Sequence, residues 1–475
     1  MLDVASAPAG LDALEARLRQ DLSYLEWPAK PWVPPRARDG RAVADVVVIG
    51  AGMCGLVAAA ALRLLGVERV RVLDRAPAGE EGPWVTFARM DTLRSPKTLA
   101  GPALGVPSLT FRAWFEAQWG AAAFDAMGKI PRVMWMDYLR WYRRAMGVTV
   151  ENGVTVTGIA EAGEGLLRVE TDTAGVIHAR RVVLATGRDG LGGPYLPEVA
   201  FNLPPGLRAH SKDMIDFASL KGRRVGVIGA GASAFDNAGE AVEAGCAELH
   251  MFVRRPALPR VNAFTGIGSQ GVVHGFQGLS DEWKWRFLDH VIRVQTPPPR
   301  ESVMRVSRHA NARLHLSSPI LSLEHRDGAA VLTTPKGRFE LDLVIFATGF
   351  RVDLGARPEL AAFAPHVRFW RDRFSPPEGL ENGELADSPD LAPDFGFQEK
   401  TPGACPALSR IHCFNYPATL SHGKVSGDIP AVSEGAWRLA QGIVRHLFTE
   451  DAAVHFAALQ AFDTPELKGD EWPTT

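Results

Sequence analysis

The chain has 475 residues, 46% of them hydrophobic and 22% charged, which is ordinary for a globular protein of two or three domains. Its formal net charge of −2 provides no positive field for nucleic acid or anionic lipid, so neither is expected as a partner. The most apolar uncharged run, 46–62, is shorter than the roughly 20 residues of a membrane-spanning helix. No secretory signal is apparent, and a cytoplasmic location is expected.

Cysteine and histidine spacing argues against two kinds of site. The four cysteines, Cys54, Cys246, Cys405 and Cys413, form no C-x-x-C or C-x₄-C pair, which argues against a disulfide framework and against a redox dithiol. The 13 histidines show no metal-binding spacing, so no metal site is expected.

The first half of the chain predicts a lead-in followed by an α/β unit. Leucines at helical spacing over 11–25 predict a helix docked on the main body, with a partner-binding helix as the alternative. Residues 45–74 predict a βαβ unit, and 80–145 are expected to be partly helical, notably over 111–119 and 136–144. Short alternating segments over 148–186 predict an antiparallel meander.

The second half repeats this pattern. A βαβ unit is predicted over 224–254 and a meander over 314–345, with an interruption at 256–313 that contains a helix at about 281–294. A strand over 411–414 and a helix over 431–447 follow. The segment 374–402, rich in Pro and acidic residues, is expected to be a loop over the surface or the active site.

The first glycine-rich turn is Gly50-x-Gly52-x-x-Gly55, between a Val/Ile strand and an Ala-rich helix. In this pattern the glycines permit a tight turn, close approach to a pyrophosphate and close helix–strand packing. Asp74 ends the next apolar strand, where a carboxylate can accept a hydrogen bond from a ribose hydroxyl. The context predicts a dinucleotide site.

The second turn, Gly229-x-Gly231-x-x-Ala234, is followed by arginines rather than an acid. Arg254 and Arg255 end its second strand. Guanidinium binds a 2′-phosphate, which a carboxylate would repel, so NADPH is predicted over NADH. The alternative is a solvated arginine pair. One bound flavin and one exchanging nicotinamide is the economical assignment, with FAD at the first turn and NADPH at the second.

These motifs predict an α/β fold with two dinucleotide-binding, Rossmann-like, three-layer domains, the NADPH domain inserted in the FAD domain. The expected boundaries are a lead-in helix and linker at 1–44, an FAD-binding domain at 45–200 plus 341–475, and an NADPH-binding domain at 201–340 with a helical insertion at about 256–313. Each turn is followed much later by an apolar strand ending in Ala-Thr-Gly, with Thr186-Gly187 in the first copy and Thr348-Gly349 in the second.

Over residues 44–450 the chain resembles the class B flavoprotein monooxygenases, a group of flavin-containing, Baeyer–Villiger and N-hydroxylating enzymes. Gly206, His210 and Ser211 are similar to the group's linker motif F-x-G-x-x-x-H-[ST], although Pro204 replaces the leading Phe. The segment 252–256 resembles F-Q-R-[ST]-P, and 346–350 resembles F-A-T-G-[YF]. Gly82-Pro83-Trp84 lies where the family has G-G-x-W. The segment 93–97 is loosely similar to L-x-T-N-x-P-K, without its Asn.

The resemblance implies that NADPH reduces the flavin, that O₂ adds to give a C4a-(hydro)peroxyflavin, and that one oxygen atom passes to a small molecule. Oxygenation at N or S, N-hydroxylation above all, is favoured over Baeyer–Villiger insertion because the Trp-Pro extension of that subgroup's linker is absent. An NADPH-dependent reductase that serves a separate acceptor and a non-catalytic NADPH-sensing module are the alternatives from other classes. The sequence leaves the oligomeric state open between a monomer and a homo-oligomer, and the resemblance adds that dimers and tetramers are common in the group.

The resemblance and the motifs together select the candidate site residues. Those expected to contact a nucleotide are Gly50, Gly52, Cys54, Gly55, Asp74, Arg75, Trp84, Thr186, Gly187, Gly229, Gly231, Ser233, Ala234, Arg254, Arg255, Thr348 and Gly349. The candidate catalytic residues are Arg94, Ser95, His210 and Asn415. His210 has a structural role or couples domain motion to turnover. Asn415 faces the flavin or substrate, or lies in an ordinary polar loop.

Overall fold

The computed structural model describes residues 9–472, which form two α/β units. The strands are β1 (Ala37–Arg38), β2 (Arg41–Ala42), β3 (Ala44–Ile49), β4 (Val70–Asp74), β5 (Val150–Asn152), β6 (Val156–Gly163), β7 (Leu166–Thr171), β8 (Val176–Leu184), β9 (Gly192–Pro194), β10 (Arg208–His210), β11 (Arg224–Ile228), β12 (Glu248–Phe252), β13 (Ala312–His315), β14 (Ser322–Arg326), β15 (Ala329–Thr334), β16 (Gly337–Leu341), β17 (Leu343–Phe346), β18 (Phe350–Val352) and β19 (Ile411–Cys413). The α-helices are α1 (Gly10–Tyr24), α2 (Met53–Leu64), α3 (Phe111–Ala126), α4 (Arg132–Ala145), α5 (Ala232–Glu243), α6 (Gln270–Gly275), α7 (Asp281–Val294), α8 (Arg300–Ser307), α9 (Trp370–Arg373), α10 (Gly383–Ala386), α11 (Thr419–His422), α12 (Val432–Glu450) and α13 (Ala452–Ala461).

The first unit is built on a sheet in the order β5-β4-β3-β8-β7-β6, with β19 paired to β8. The strands β3, β4, β5, β8 and β19 run parallel, and β6 and β7 continue the sheet as an antiparallel meander. Val46, Val47 and Val48 are fully buried in β3, as expected for a parallel strand covered on both faces. Helix α2 packs on β3 and β4, and α12 packs on α2. The predicted βαβ unit is confirmed.

The second unit is a parallel sheet in the order β10-β17-β11-β12-β13. Its strands all come between β8 and β19 of the first sheet, so this unit is inserted in the first, as predicted. The chain crosses between the units at β9 and β18, which pair antiparallel. Strand β17 lies beyond residue 340, where the NADPH-binding domain is predicted to end, and pairs with both β10 and β11.

The meander predicted over 314–345 is a separate antiparallel sheet of β14, β15 and β16. Leu323 and Leu332 of this small sheet pack with Phe252 and Phe346 of the second unit. The flanking strands β13 and β17 belong to the parallel sheet instead. Burial along a single strand does not distinguish the two arrangements: every residue of β17 is buried, whereas β13 of the same parallel sheet has no fully buried residue.

The helical insertion links the two units. Helix α8 packs on α5 of the second unit, whereas α7 packs against α10 and α11 of the first. Trp285, Leu288, Trp370, Leu385 and Leu420 form the buried cluster at the second contact. The segment 374–402 therefore includes a short helix, α10, that rests on the insertion.

The helix near the start of the chain was predicted from the sequence, whereas the helix near its end was not. Leu14 and Leu18 of α1 are buried, and α1 packs on α3, which confirms a docked helix; residues 1–8 of the predicted lead-in lie outside the described residues. At the other end α13, which was not predicted, follows α12 almost directly. Among residues 9–472 no helix is both long and apolar enough to cross a membrane.

Candidate active site between the two nucleotide-binding units

The first glycine-rich turn has the close packing that its sequence predicts. Gly50 has φ +98°, and a Cβ there would lie 2.5 Å from the carbonyl oxygen of Ala185. A Cβ on Gly55 would lie 1.8 Å from the Gly50 oxygen, so helix and strand touch through bare backbone. At Gly52 a Cβ would approach nothing closer than Gly82 Cα at 3.6 Å. A methyl group at the middle glycine would make only an ordinary contact with the Gly82 backbone, so packing within the protein does not require a glycine here.

Asp74 lies beside this turn and braces it. Its carboxylate accepts hydrogen bonds from the backbone N–H of Ala51 at 2.7 Å and of Ala76 at 2.8 Å. Next to it, Arg75 is exposed to solvent. Burial and the charge of Arg75 lower the pKa of Lys212, in the linker to the second unit, to about 8. Asp74 and Arg75 therefore lie where the first glycine-rich turn meets the linker to the second unit.

Cys54 follows the middle glycine and is a packing residue. Its thiol donates to the carbonyl oxygen of Ser426 at 3.3 Å, and this contact brings the 423–428 loop to the start of α2. Burial, aided by the charge of Asp428, raises the pKa of the Cys54 thiol to about 12. The thiol stays protonated at neutral pH, so it is no nucleophile there.

Trp84 belongs to a segment that passes over the first turn. Its backbone oxygen accepts from Arg132 at 2.5 Å, and its ring lies edge-on to Trp135 with the centroids 6.4 Å apart. The indole Nε1 is buried and has no hydrogen-bond partner within the described residues. Because buried N–H donors are nearly always satisfied, this one fits a ligand acceptor near the first turn.

Asn415 joins the ends of two neighbouring strands. Its side-chain amide donates to Thr186 Oγ1 at 3.2 Å, and its carbonyl oxygen accepts from the Cys413 thiol at 3.0 Å. A Cβ on Gly190 would lie 2.6 Å from the same amide nitrogen, so the side chain is closely surrounded. Asn415 is buried and positions Thr186-Gly187, rather than presenting a free group to a ligand.

The second turn repeats the first with one difference. Gly229 has φ +141°, and a Cβ there would lie 2.7 Å from the Ala347 carbonyl oxygen. Ala234 is fully buried in the place of a third glycine, and its methyl group would be 3.3 Å from that Cβ. Gly231 has open space around it, and Ser233 is exposed in the first turn of α5. A second nucleotide can approach the backbone here.

His210 connects the linker to the second Ala-Thr-Gly turn. The backbone N–H of Lys212 donates to Nδ1 at 3.1 Å, so Nε2 carries the proton and donates to the Gly349 oxygen at 2.9 Å. Burial lowers the pKa of His210. Thr348 Oγ1 donates to the carbonyl oxygen of Tyr195, which fixes the same turn from the other side. Both ring nitrogens of His210 are occupied, which favours its structural role.

The two arginines after β12 have separate roles. Arg255 donates to the backbone oxygen of Arg293 at 2.8 Å, at the carboxyl end of α7. This bond satisfies a terminal helix carbonyl and places a positive charge at the negative end of the helix dipole. Arg254 is exposed beside the second turn. Of the predicted pair, Arg254 is the residue available to a phosphate.

Arg94 stands between the two units. It donates to the carbonyl oxygen of Pro297 in the insertion at 2.5 Å. Partial burial lowers its pKa, opposed by the charges of Asp428 from the first unit and Asp236 from the second. Ser95 beside it is half-buried. Of the two candidates, Arg94 carries a charge, and acidic residues from both units act on it.

Four further residues lie in the same region and were missed by the sequence reasoning. The Arg188 guanidinium lies 4.0 Å from the centre of the Tyr416 ring, and Lys424 Nζ lies 3.7 Å from Asp428. Glu384 is open to solvent, yet desolvation by the surrounding protein raises its pKa against the charge of Arg188. A side chain that is both accessible and surrounded by protein lines a concave cleft.

The sequence offered unequal clues to these residues. Arg188 directly follows Thr186-Gly187, and Tyr416 directly follows Asn415, so both could have been selected by their place after a parallel strand. Glu384 comes from α10, which reaches the cleft only because that helix packs on α7. Its position depends on tertiary packing.

Comparison with known proteins agrees with these features. Residues 47–263 match the pyridine nucleotide-disulphide oxidoreductase family. Over 465 residues the chain is 41% identical to the FAD-dependent urate hydroxylase of Xanthomonas campestris pv. campestris, with 98% of each chain covered.

Solved structures share the fold at low identity. The ornithine hydroxylase of Pseudomonas aeruginosa superposes with a TM-score of 0.66 at 18% identity, over 85% of this chain and 100% of that one. The flavin-containing monooxygenase of Stenotrophomonas maltophilia gives 0.55 at 20% identity, over 85% and 99%. Both glycine turns, the inserted unit and the full-length relative lead to one conclusion: the chain belongs to the class B flavoprotein monooxygenases, oxidoreductases that use FAD, NADPH and O₂.

Proposed function

We propose that this monooxygenase hydroxylates urate. The observation that carries the proposal is the 41% identity to a urate hydroxylase across 98% of both chains. In the balanced reaction NADPH supplies two electrons, one atom of O₂ enters the purine as a hydroxyl group, and the other leaves as water with the proton of the medium. Bound FAD supplies the redox chemistry and the activation of O₂.

The polar cleft has the chemistry that such a substrate needs. Urate is a planar anion at neutral pH, rich in N–H donors and carbonyl acceptors. Arg188 and Lys424 offer positive charge and N–H donors, Tyr416 an aromatic face, and Glu384 a carboxyl acceptor. Guanidinium recognises planar anions by paired hydrogen bonds, and a ring stacks on a ring. We assign these four side chains to the substrate.

The two nucleotides are assigned by the positions of the two glycine-rich turns. Residues 45–194 and the chain after β18 hold FAD, with the N–H groups of the first turn of α2 on the pyrophosphate and Asp74 near a ribose. The inserted unit holds NADPH, with Arg254 on the 2′-phosphate. Arg94, between the units, neutralises negative charge where flavin, nicotinamide and substrate meet. Asn415 and His210 act as positioning residues. The protein is proposed to work in the cytoplasm.

Oxygenation at N or S remains a prediction from the sequence motifs. The ornithine and lysine hydroxylases that superpose on this chain are at most 20% identical to it, so their likeness supports a shared fold and not a shared substrate. Insertion into a ketone, as in Baeyer–Villiger enzymes, stays the second alternative within the class. The test with different substrates distinguishes urate hydroxylation, oxygenation at N or S, and Baeyer–Villiger insertion.

The test is a coupled assay on the purified, flavin-loaded protein. NADPH oxidation is followed with urate, with L-ornithine, with a sulfide and with a cyclic ketone, and the products are examined after reaction under ¹⁸O₂. Urate-dependent NADPH oxidation with one ¹⁸O atom per product molecule is the expected result. Labelled product from the amine, the sulfide or the ketone, with urate inert, would replace urate by that class. NADPH oxidation that yields only hydrogen peroxide with every compound would reject all of these substrates.

A further inference from the structure

Four tryptophans lie in a row that begins beside the first glycine-rich turn and ends at the protein surface. The rings of Trp84 and Trp135 meet edge-on, with their centroids 6.4 Å apart. The rings of Trp114 and Trp119, both from α3, meet in the same way at 5.5 Å. We call these four residues the tryptophan row. Indole is among the side chains that give up an electron most easily, so a continuous row of indoles can conduct single electrons.

Two aromatic rings join the two pairs of indoles. The ring centroid of Tyr138, in α4, lies 5.0 Å from that of Trp135 and 5.9 Å from that of Trp114. The Phe111 ring lies between the same two indoles, at 5.8 Å from Trp135 and 5.5 Å from Trp114. Aromatic rings interact at centroid separations of about 4.5–7 Å. The tryptophan row is therefore continuous through ring-to-ring contacts.

One end of the tryptophan row lies at the turn assigned to FAD, and the other end lies in solvent. Trp84 is partly exposed, and its segment reaches the first turn at Gly82, the backbone nearest to a Cβ on Gly52. At the other end Trp119 is 45% exposed, whereas the two indoles between the ends are buried. This path requires FAD at the first turn, as assigned above, and does not depend on urate as the substrate.

The buried indoles have no group that would take their proton. Nε1 of Trp114 and of Trp135 has no hydrogen-bond partner within residues 9–472. An indole that loses an electron there keeps its N–H, so the positive charge can pass to the next indole without waiting for a proton to move. Tyr138 differs, because its phenol donates to the carbonyl oxygen of Leu109 at 2.6 Å and burial raises its pKa well above the usual value. Without a base to accept its proton, Tyr138 bridges the indoles and does not itself hold the charge.

We propose that the tryptophan row carries single oxidising equivalents from the flavin site to Trp119, where a soluble reductant such as ascorbate removes them. A one-electron oxidant at the flavin site takes an electron from Trp84, and each indole in turn is refilled by the next one outward. At Trp119 the ascorbate anion gives up one electron and releases one proton to the medium. An enzyme that activates O₂ forms such oxidants whenever oxygen fails to reach the substrate, and the row lets them leave without damage to the cleft.

The experiment uses blue light, because a photo-excited oxidised flavin is itself a one-electron oxidant. The full-length, flavin-loaded protein is flashed anaerobically, the absorbance of the tryptophan radical is followed, and steady illumination with ascorbate then measures flavin reduction. The natural sequence is expected to give a long-lived radical that ascorbate quenches, with accumulation of reduced flavin. Trp114→Phe and Trp119→Phe should each abolish both signals, since phenylalanine is too hard to oxidise and the charge returns to the flavin. The control is Trp283→Phe, at a tryptophan 56% exposed on α7 and outside the row, which keeps both.

Three results would overturn the proposal. One is the absence of a long-lived radical in the natural sequence. Another is flavin reduction that proceeds equally in Trp114→Phe and Trp119→Phe, since ascorbate would then reach the flavin directly. The third is a radical that survives in Trp84→Phe, which would start the path at another residue. Equal flavin content and circular dichroism show that the variants fold, and Trp119→Phe changes only an exposed side chain. Neither signal involves urate, so a failure of the substrate proposal leaves both unchanged.

Discussion

The guanidinium of Arg188 lies 4.0 Å from the centre of the Tyr416 ring, although the two residues belong to segments more than two hundred positions apart. Each follows a strand of the first sheet, β8 and β19, which are neighbours. Arg188 favours the phenolate of Tyr416, but burial and the nearby acids Glu384 and Asp428 outweigh it and raise the pKa of Tyr416. The phenol therefore keeps its proton and can donate to a substrate oxygen.

Arg188→Met is expected to raise KM for urate about 10- to 100-fold, because hydrogen bonds to charged groups contribute roughly 1.5–3 kcal/mol. KM for NADPH should not change, since Arg188 is assigned to the substrate. Steady-state kinetics with each substrate varied checks this. Arg351→Met, at an exposed arginine in β18, is the matched control. A loss of bound flavin in Arg188→Met, with KM for urate unchanged, would instead assign Arg188 to the FAD phosphates.

Gly55→Ala and Gly52→Ala should separate packing from ligand approach. The new methyl group at position 55 would meet backbone at 1.8 Å, so the apo protein should lose about 1–3 kcal/mol of unfolding free energy or more. At position 52 the methyl group has room and the backbone is extended, so the apo protein should keep its Tm but lose flavin. Thermal unfolding and flavin absorbance measure both. Full flavin content in Gly52→Ala would contradict a pyrophosphate at this turn.

Arg254→Ala should raise KM for NADPH at least ~10-fold and leave KM for NADH nearly unchanged, because only NADPH carries the 2′-phosphate. Arg255→Ala removes the bond to the end of α7 and is the control; it should lower stability slightly without altering the ratio of the two KM values. If both variants change the two KM values equally, the 2′-phosphate binds elsewhere.

Asn415→Ala should act on structure rather than on chemistry. The change leaves Thr186 and Cys413 without a buried partner, which costs about 1–3 kcal/mol. Urea unfolding should show this loss and flavin should be bound more weakly, while kcat per bound flavin stays close to that of the natural protein. A stable, flavin-saturated variant with a much lower kcat would show that Asn415 touches the reacting groups.

The stability of the protein should fall as the pH drops below 6.5. Burial lowers the pKa of His412 to about 4, although Asp394 opposes the shift, and no group within residues 9–472 would accept a hydrogen bond from a protonated Nε2. The unfolded chain takes up that proton near pH 6.5 and the folded chain does not, so stability is lost between about pH 6.5 and pH 4. His412→Asn can keep the Nδ1–H bond to the Asp394 oxygen without titrating, and its urea midpoint should depend less on pH. An unchanged pH dependence would assign the effect to other groups.

The sequence predicted the parts of the fold that depend on local pattern. Helix α7 spans the predicted 281–294, and both glycine turns have the predicted close contacts, because strand, turn and helix are contiguous in the chain. The membership of β17 in the second sheet and the arrival of Glu384 in the cleft depend on packing between distant segments. No periodicity in the chain encodes such contacts. For the same reason, the candidate site was predicted near its glycines and missed at its substrate side.

The pairing of β19 with β8 has a consequence for synthesis on the ribosome. The inserted unit has all its strands once residue 346 has emerged, whereas the first sheet waits for β19 and the first helix layer for α12. Because domains fold as units in the order in which they are completed, the unit that begins first is finished last. Until then the face of α2 that receives α12 is uncovered, and a nascent chain stalled before residue 432 exposes it to chaperones.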